Sequence, residues 1–167
     1  GKWHNDLELQ RYWEKIPKNA DPKDPWVIAD LKAIQNELRV RLDRYGFDYA
    51  ECISEGNLEY FPAELEHHNI EYTIKGAVDF LNLAPENRPF FLWTAFTTTH
   101  GPHEPINSGD VRNTPEGYME DHIGLMPDRS EYIDNNKQWR NIVKETVLWM
   151  DGGIGVILDK LEAKGVL

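Results

Sequence analysis

Apolar positions recur at helical spacing in three stretches of the chain. Leu31, Ile34, Leu38, Leu42 and Tyr45 mark the first. Ahead of them, Asp24-Pro25 supplies an N-cap followed by proline at the first helical position, where its missing N–H is harmless, so the pattern predicts a helix from there to about Arg44, ended by Gly46. Ile74, Ala77, Val78 and Leu81 mark a second helix, about Ile70 to Leu83, stopped by Pro85. Val143, Val147, Met150, Ile154, Ile157 and Leu161 mark a third, about Lys137 to Lys164, with Gly165 suited to a C-terminal cap. Gly152, Gly153 and Gly155 interrupt that stripe at a cost of about 1 kcal/mol each relative to alanine, which reads either as a kink or as the close approach of another backbone.

The remaining apolar stretches are not helical. "FDYAEC", Phe47 to Cys52, predicts a short strand, and residues 53–67 read as irregular. "RPFFLWTAF" contains the longest apolar run, Pro89 to Phe96. A continuous apolar run of this length is what a strand buried on both faces looks like, as in a parallel sheet covered by helices. Polar residues 5–25, with Pro17, Pro22 and Pro25, read as a loop. Thr97 to Asn136 lacks sustained periodicity, and a loop that long inside a compact domain tends to be functional. Helix, buried strand, loop and helix together predict an α/β fold, with a mixed, mostly parallel sheet flanked by helices. Only two or three strands can be found, nothing precedes "GKWH", and the last helix has no strand to return to. The expectation is that residues 1–167 are the central segment of a single larger α/β domain.

Charge narrows the partners. Acidic residues outnumber basic ones 29 to 18 in the 167 residues, a net charge of −11. Such a surface repels nucleic-acid phosphates and anionic membranes, so neither is an expected partner, and an anionic substrate needs a local basic pocket. Cys52 is the single cysteine, which excludes an internal disulfide, and no Cys/His cluster has zinc-finger spacing. No run approaches the roughly 18 apolar residues of a membrane span, and no signal peptide is visible.

In open α/β sheets ligands bind beyond the carboxyl ends of strands. Directly after Phe96 stands "TTTHGPHEP", Thr97 to Pro105. His100 and His103 could serve there as general acid, hydrogen-bond donors or metal ligands, and the plainer reading is a polar loop with two surface histidines. "GKWH", Gly1 to His4, follows the same logic: if a strand ended at Gly1, Lys2 and His4 would emerge together at one sheet edge. Lys2 would bring a point charge for a tetrahedral oxyanion and His4 a donor or a proton, against the plainer reading of a frayed terminus. His67-His68 precede a helix and read as loop or capping residues. Asp134-Asn135 is a metal-ligating pair by residue type, but it lies in a polar stretch with no apolar strand ahead of it. Glu64, Glu66, Glu120 and Asp121 read as solvated carboxylates.

"GKWH", "GFDYAE", "PFFLWTAFTTTHGPHEP" and "WMDGGIGVILDKLEAKGVL" occur in the order and spacing seen in type I sulfatases, and the chain resembles that family, within the alkaline-phosphatase-like superfamily, over essentially its whole length. The resemblance implies that Lys2 contacts the sulfate oxygens. It implies that His4 contacts the formylglycine nucleophile and helps collapse the covalent sulfate intermediate, and that His100 contacts sulfate near the leaving oxygen as a general acid. His103 is a weaker candidate for substrate contact. The departures are equally specific. The family makes its formylglycine from Cys or Ser in a C/S-x-P-x-R motif, and neither Cys52, followed by "ISEG", nor Ser108, followed by "GDVR", fits it. The acidic calcium ligands of the family lie before "GKWH", and its Asp-Asn ligands and second lysine lie after the last helix. "GKWH" continues as Asn5-Asp6 where the family has Leu-Gly.

The expectation is therefore a sulfuric ester hydrolase acting on a sulfate ester, a carbohydrate sulfate by analogy. Its formylglycine and the ligands of its Ca2+ would lie outside this chain, which alone would be inactive. Secretion or periplasmic export follows by the same analogy. Two rivals remain: a phosphodiesterase or phosphonate monoester hydrolase of the same superfamily, and a non-catalytic module that binds sulfated glycans.

Overall fold

The computed structural model describes residues 2–3, 15–55, 58–101, 103–133 and 141–167. The first helix, α1, spans Pro25–Arg44 with proline in its first turn, as the sequence predicts. Asp24 holds the N-cap position with an extended backbone but makes no side-chain cap bond. Val27, Leu31, Ile34, Leu38 and Leu42 bury one face against Ile16, Ile53, Leu58, Phe61 and Leu65. Tyr45, expected on that face, is exposed beyond the helix end. Gly46 then takes φ +90, a left-handed conformation that costs glycine nothing. The buried Gln35 amide donates to the Ile53 carbonyl at 2.7 Å, pinning the chain at Ile53 to the helix.

The second helix, α2, spans Ile70–Leu83, the predicted bounds, and Ala84 caps it ahead of Pro85. The Asn69 side chain caps its start by accepting from the Tyr72 N–H at 3.0 Å. The cap is thus Asn69, not the preceding histidines. Ile70, Ile74, Ala77, Val78 and Leu81 pack against the third helix, α3, which spans Ile142–Ala163 as one continuous element. Its buried face matches the expected stripe only in part: Met150, Ile157 and Leu161 face the core. Thr146, Trp149, Gly153 and Ile157 are buried, whereas Val143, Val147 and Ile154 are exposed. The glycines explain the offset. A Cβ on Gly153 would lie 2.9 Å from Ile74 Cγ1, and one on Gly152 would lie 2.3 Å from the Tyr132 hydroxyl. The close approach is to side chains of α2 and of the 3-10 turn Arg129–Tyr132, and no break in the helix accompanies it.

The sheet content is smaller than the sequence suggests. Strand β1, Lys2–Trp3, pairs in parallel with β2, Ser54–Glu55, in the register Lys2↔Ser54. Strands β3, Asn113–Thr114, and β4, Gly117–Tyr118, form an antiparallel hairpin within the long loop. The fold is α/β in type: three α-helices with these two small pairings among the described residues. Two predicted strands are corrected. Phe47–Cys52 has no ladder and bends at Asp48 and Cys52, and pairing begins only at Ser54. The run 89–97 is extended, yet it makes no main-chain hydrogen bond to another described residue. It is buried on one face only. Phe90, Leu92 and Phe96 pack onto the α2–α3 core, whereas Phe91 and Trp93 are 75% and 63% exposed. An apolar run becomes a doubly buried strand only when neighbouring strands and a second helical layer cover it, and the described residues supply neither. No helix among the described residues is long and apolar enough to cross a membrane.

Candidate functional site

The loop after the extended run is framed by three consecutive residues at the start of α2. His67 lies against Gly109, where an added Cβ would fall 2.4 Å from the ring. His68 Nδ1 is bonded to the Thr97 hydroxyl at 2.8 Å. The Asn69 amide, besides capping α2 with its oxygen, donates to the carbonyls of Val111 at 2.9 Å and Asn113 at 3.0 Å. His67, His68 and Asn69 therefore hold the loop where it leaves the extended run and again at 109–113.

A buried ion pair closes the frame from the other side. Arg129 donates in fork geometry to both oxygens of Glu71 at 2.8 Å. Its third nitrogen donates to the carbonyls of Ile106 at 2.9 Å and Gly109 at 3.2 Å. The guanidinium sits 4.6 Å from the Trp149 ring centroid, and the Trp149 indole N–H donates to Glu71 at 3.2 Å. Bidentate geometry and extra acceptors are what make a buried pair tolerable. Burial, reinforced by the Arg129 charge, depresses the His67 pKa to about 4. His67 is thus a neutral ring at physiological pH, and its Nε2 is buried with no hydrogen-bond partner among the described residues.

Within this frame, His100 and His103 are exposed. His100 Nδ1 is 2.8 Å from the carbonyl of Gly101, a contact within the turn. Glu104 accepts from the Ser108 hydroxyl at 3.1 Å. Lys2 belongs to β1 itself, one step further into a strand than the sequence suggests, with its main chain beside Ser54. His4 and the Asp134-Asn135 pair lie outside the described residues. Of the four site candidates, His100 and His103 are brought together on one loop; the described side chains do not extend to Lys2.

The residues rejected as nucleophiles have unreactive surroundings. Burial pushes the Cys52 thiol up to about 12, so it stays protonated. Its backbone has φ 54, unusual for a residue with a side chain, and it packs directly on Gly76. Ser108 is exposed and engaged with Glu104. Beside Cys52, Arg39 bridges Glu51 and Glu116, and these two carboxylates raise its pKa against the opposing effect of burial. Among the described residues no three His, Cys, Asp or Glu side chains converge to hold a metal ion.

The histidine frame was only partly legible beforehand. Asn69 ahead of an apolar-periodic run is a readable cap signal. The Glu71–Arg129 pair spans 58 positions and carries no local signal. No protein-family model matches the chain, and no curated protein matches it.

Proposed function

We propose that this segment contributes part of the anion-binding shell of a sulfuric ester hydrolase of the type I sulfatase kind, acting on a carbohydrate sulfate. The reading rests on the ordered sequence resemblance. The structural observation that supports it most is the parallel β1–β2 pairing, which puts Lys2 and Trp3 in a strand of an α/β-type unit. The finer architecture, a mostly parallel sheet flanked by helices and completed by polypeptide outside residues 1–167, is part of the same proposal.

In this reading Lys2 offsets charge on the sulfuryl oxygens as a fixed cation, and His4 acts beside it. His100 donates a hydrogen bond, then a proton, to the leaving oxygen, and His103 contacts the alcohol part of the substrate. Donors fixed in advance where charge develops usually supply the largest catalytic contribution. Neither a nucleophile nor a calcium site has a candidate among the described residues, so no step through either is assigned to this chain.

The test uses a polypeptide carrying this segment together with the missing nucleophile, assayed with 4-nitrophenyl sulfate and calcium. Lys2→Ala is expected to lower kcat/KM by about 100-fold or more. His100→Ala is expected to slow an alkyl sulfate more than 4-nitrophenyl sulfate, whose leaving group needs little protonation. An unchanged kcat/KM for Lys2→Ala overturns the site. Faster turnover of a phosphodiester or phosphonate ester by the same polypeptide moves the reading to that branch of the superfamily. The 167 residues alone are expected to show no turnover, and measurable hydrolysis by them would contradict the division of labour proposed here.

A further inference from the structure

We infer that His68 is a positioning residue for the His100 turn, acting through the Thr97 hydroxyl; this rests on the reading of His100 as a sulfate contact. The bond joins two differently anchored pieces of chain. His68 is adjacent to Asn69, whose cap bond and two loop bonds fix it to α2 and to the segment 111–113. Thr97 is the last residue of the extended run and is buried. Along that run the main chain has no ladder to hold it among the described residues. The 2.8 Å contact from His68 Nδ1 to Thr97 Oγ1 is therefore the polar tie that sets where the run stops and the Thr98–His100 turn begins. Among the described residues His100 makes only the local contact to Gly101, so its direction is inherited from that starting point. A hydroxyl buried beside an apolar core also needs a partner, and losing this one leaves Thr97 unsatisfied. A contact group is held in a productive geometry by residues whose own positions are locked, and here that lock runs from the α2 cap through His68 to Thr97.

The experiment uses the 167-residue chain and heteronuclear NMR, with sodium sulfate as the probe and the His100 ring as the reporter. His68→Ala and Thr97→Val are each expected to shift the amides of Thr98–Gly101 and to weaken the sulfate response at His100 by about fivefold, the worth of one ordinary hydrogen bond. The double variant is expected to be no worse than either single one, because both remove the same bond. His68→Asn, which restores a polar group at the Nδ1 position, and Thr97→Ser are expected to return both readouts to near wild type. Unchanged Thr98–Gly101 amides in His68→Ala and Thr97→Val, or effects that simply add in the double variant, overturn the assignment. If sulfate leaves His100 of the wild type unperturbed, the anion-site reading fails, and the Thr98–Gly101 amides alone decide the His68 tie. Thr97→Val decides it if His68→Ala does not fold.

Discussion

At the scale of single residues, the environment of His67 has a consequence for acid stability. The ring titrates near 6.5 when exposed and near 4 when folded, because burial and then the Arg129 charge disfavour its protonated form. Between those values the unfolded chain binds a proton that the folded chain does not. Stability is therefore full above about pH 6.5 and falls as pH drops towards 4, by on the order of 3 kcal/mol in total. Urea midpoints measured from pH 7.5 to 4 should trace this loss, and His67→Gln should flatten it. The Glu71–Arg129 pair gives a second expectation at this scale. Arg129→Met leaves a buried carboxylate and two carbonyls without their guanidinium donor, and should cost about 3–5 kcal/mol in urea unfolding. Replacing Glu71 with Leu as well removes the stranded charge and should recover part of that loss, though not the bonds to Ile106 and Gly109.

At the scale of elements, the α2–α3 contact depends on which glycine is which. Gly153 and Gly155 are two residues apart on one helix, and both would gain roughly 1 kcal/mol of helix propensity from alanine. A Cβ at 153 meets Ile74 at 2.9 Å and Ile70 at 3.1 Å, whereas a Cβ at 155 meets nothing within 4 Å. Gly153→Ala should destabilise by about 1–3 kcal/mol through overpacking, and Gly155→Ala should stabilise by up to about 1 kcal/mol. Thermal unfolding of the two variants checks both signs, and equal shifts would mean that α3 does not dock through Gly153. The helix bounds of α1 and α2 were legible because capping and periodicity are local. The buried side of α3 was legible only at Met150, Ile157 and Leu161, since the small residues admitting α2 contribute nothing to an apolar stripe. The long loop was legible as a loop. Its frame was not, because His68–Thr97, Asn69–Val111 and Glu71–Arg129 join positions far apart in the chain.

At the scale of the whole molecule, apolar side chains on two elements face outward. Phe91 and Trp93 project from the extended run, and Val143, Val147, Leu148 and Leu158 from α3. Surfaces of this kind bind apolar dyes and other protein surfaces. The 167-residue chain should therefore enhance the fluorescence of an anilinonaphthalene dye and self-associate with rising concentration. Phe91→Ser with Trp93→Ser should reduce both, while changing folding stability by no more than about 0.5 kcal/mol, as expected for exposed positions. An unaltered sedimentation profile in that double variant would show that these side chains take no part in association. The sequence by itself determined two helices to within a residue or two and the existence of the third. These follow from local caps and periodicity. Tertiary structure alone decided that, among the described residues, the apolar run is unpaired with one face open and that α3 docks through Gly153. It also decided that His67, His68 and Asn69 grip the loop that follows the apolar run. Those outcomes depend on which distant surface or hydrogen-bonding group arrives beside each residue, and the order of residues along the chain does not encode that locally.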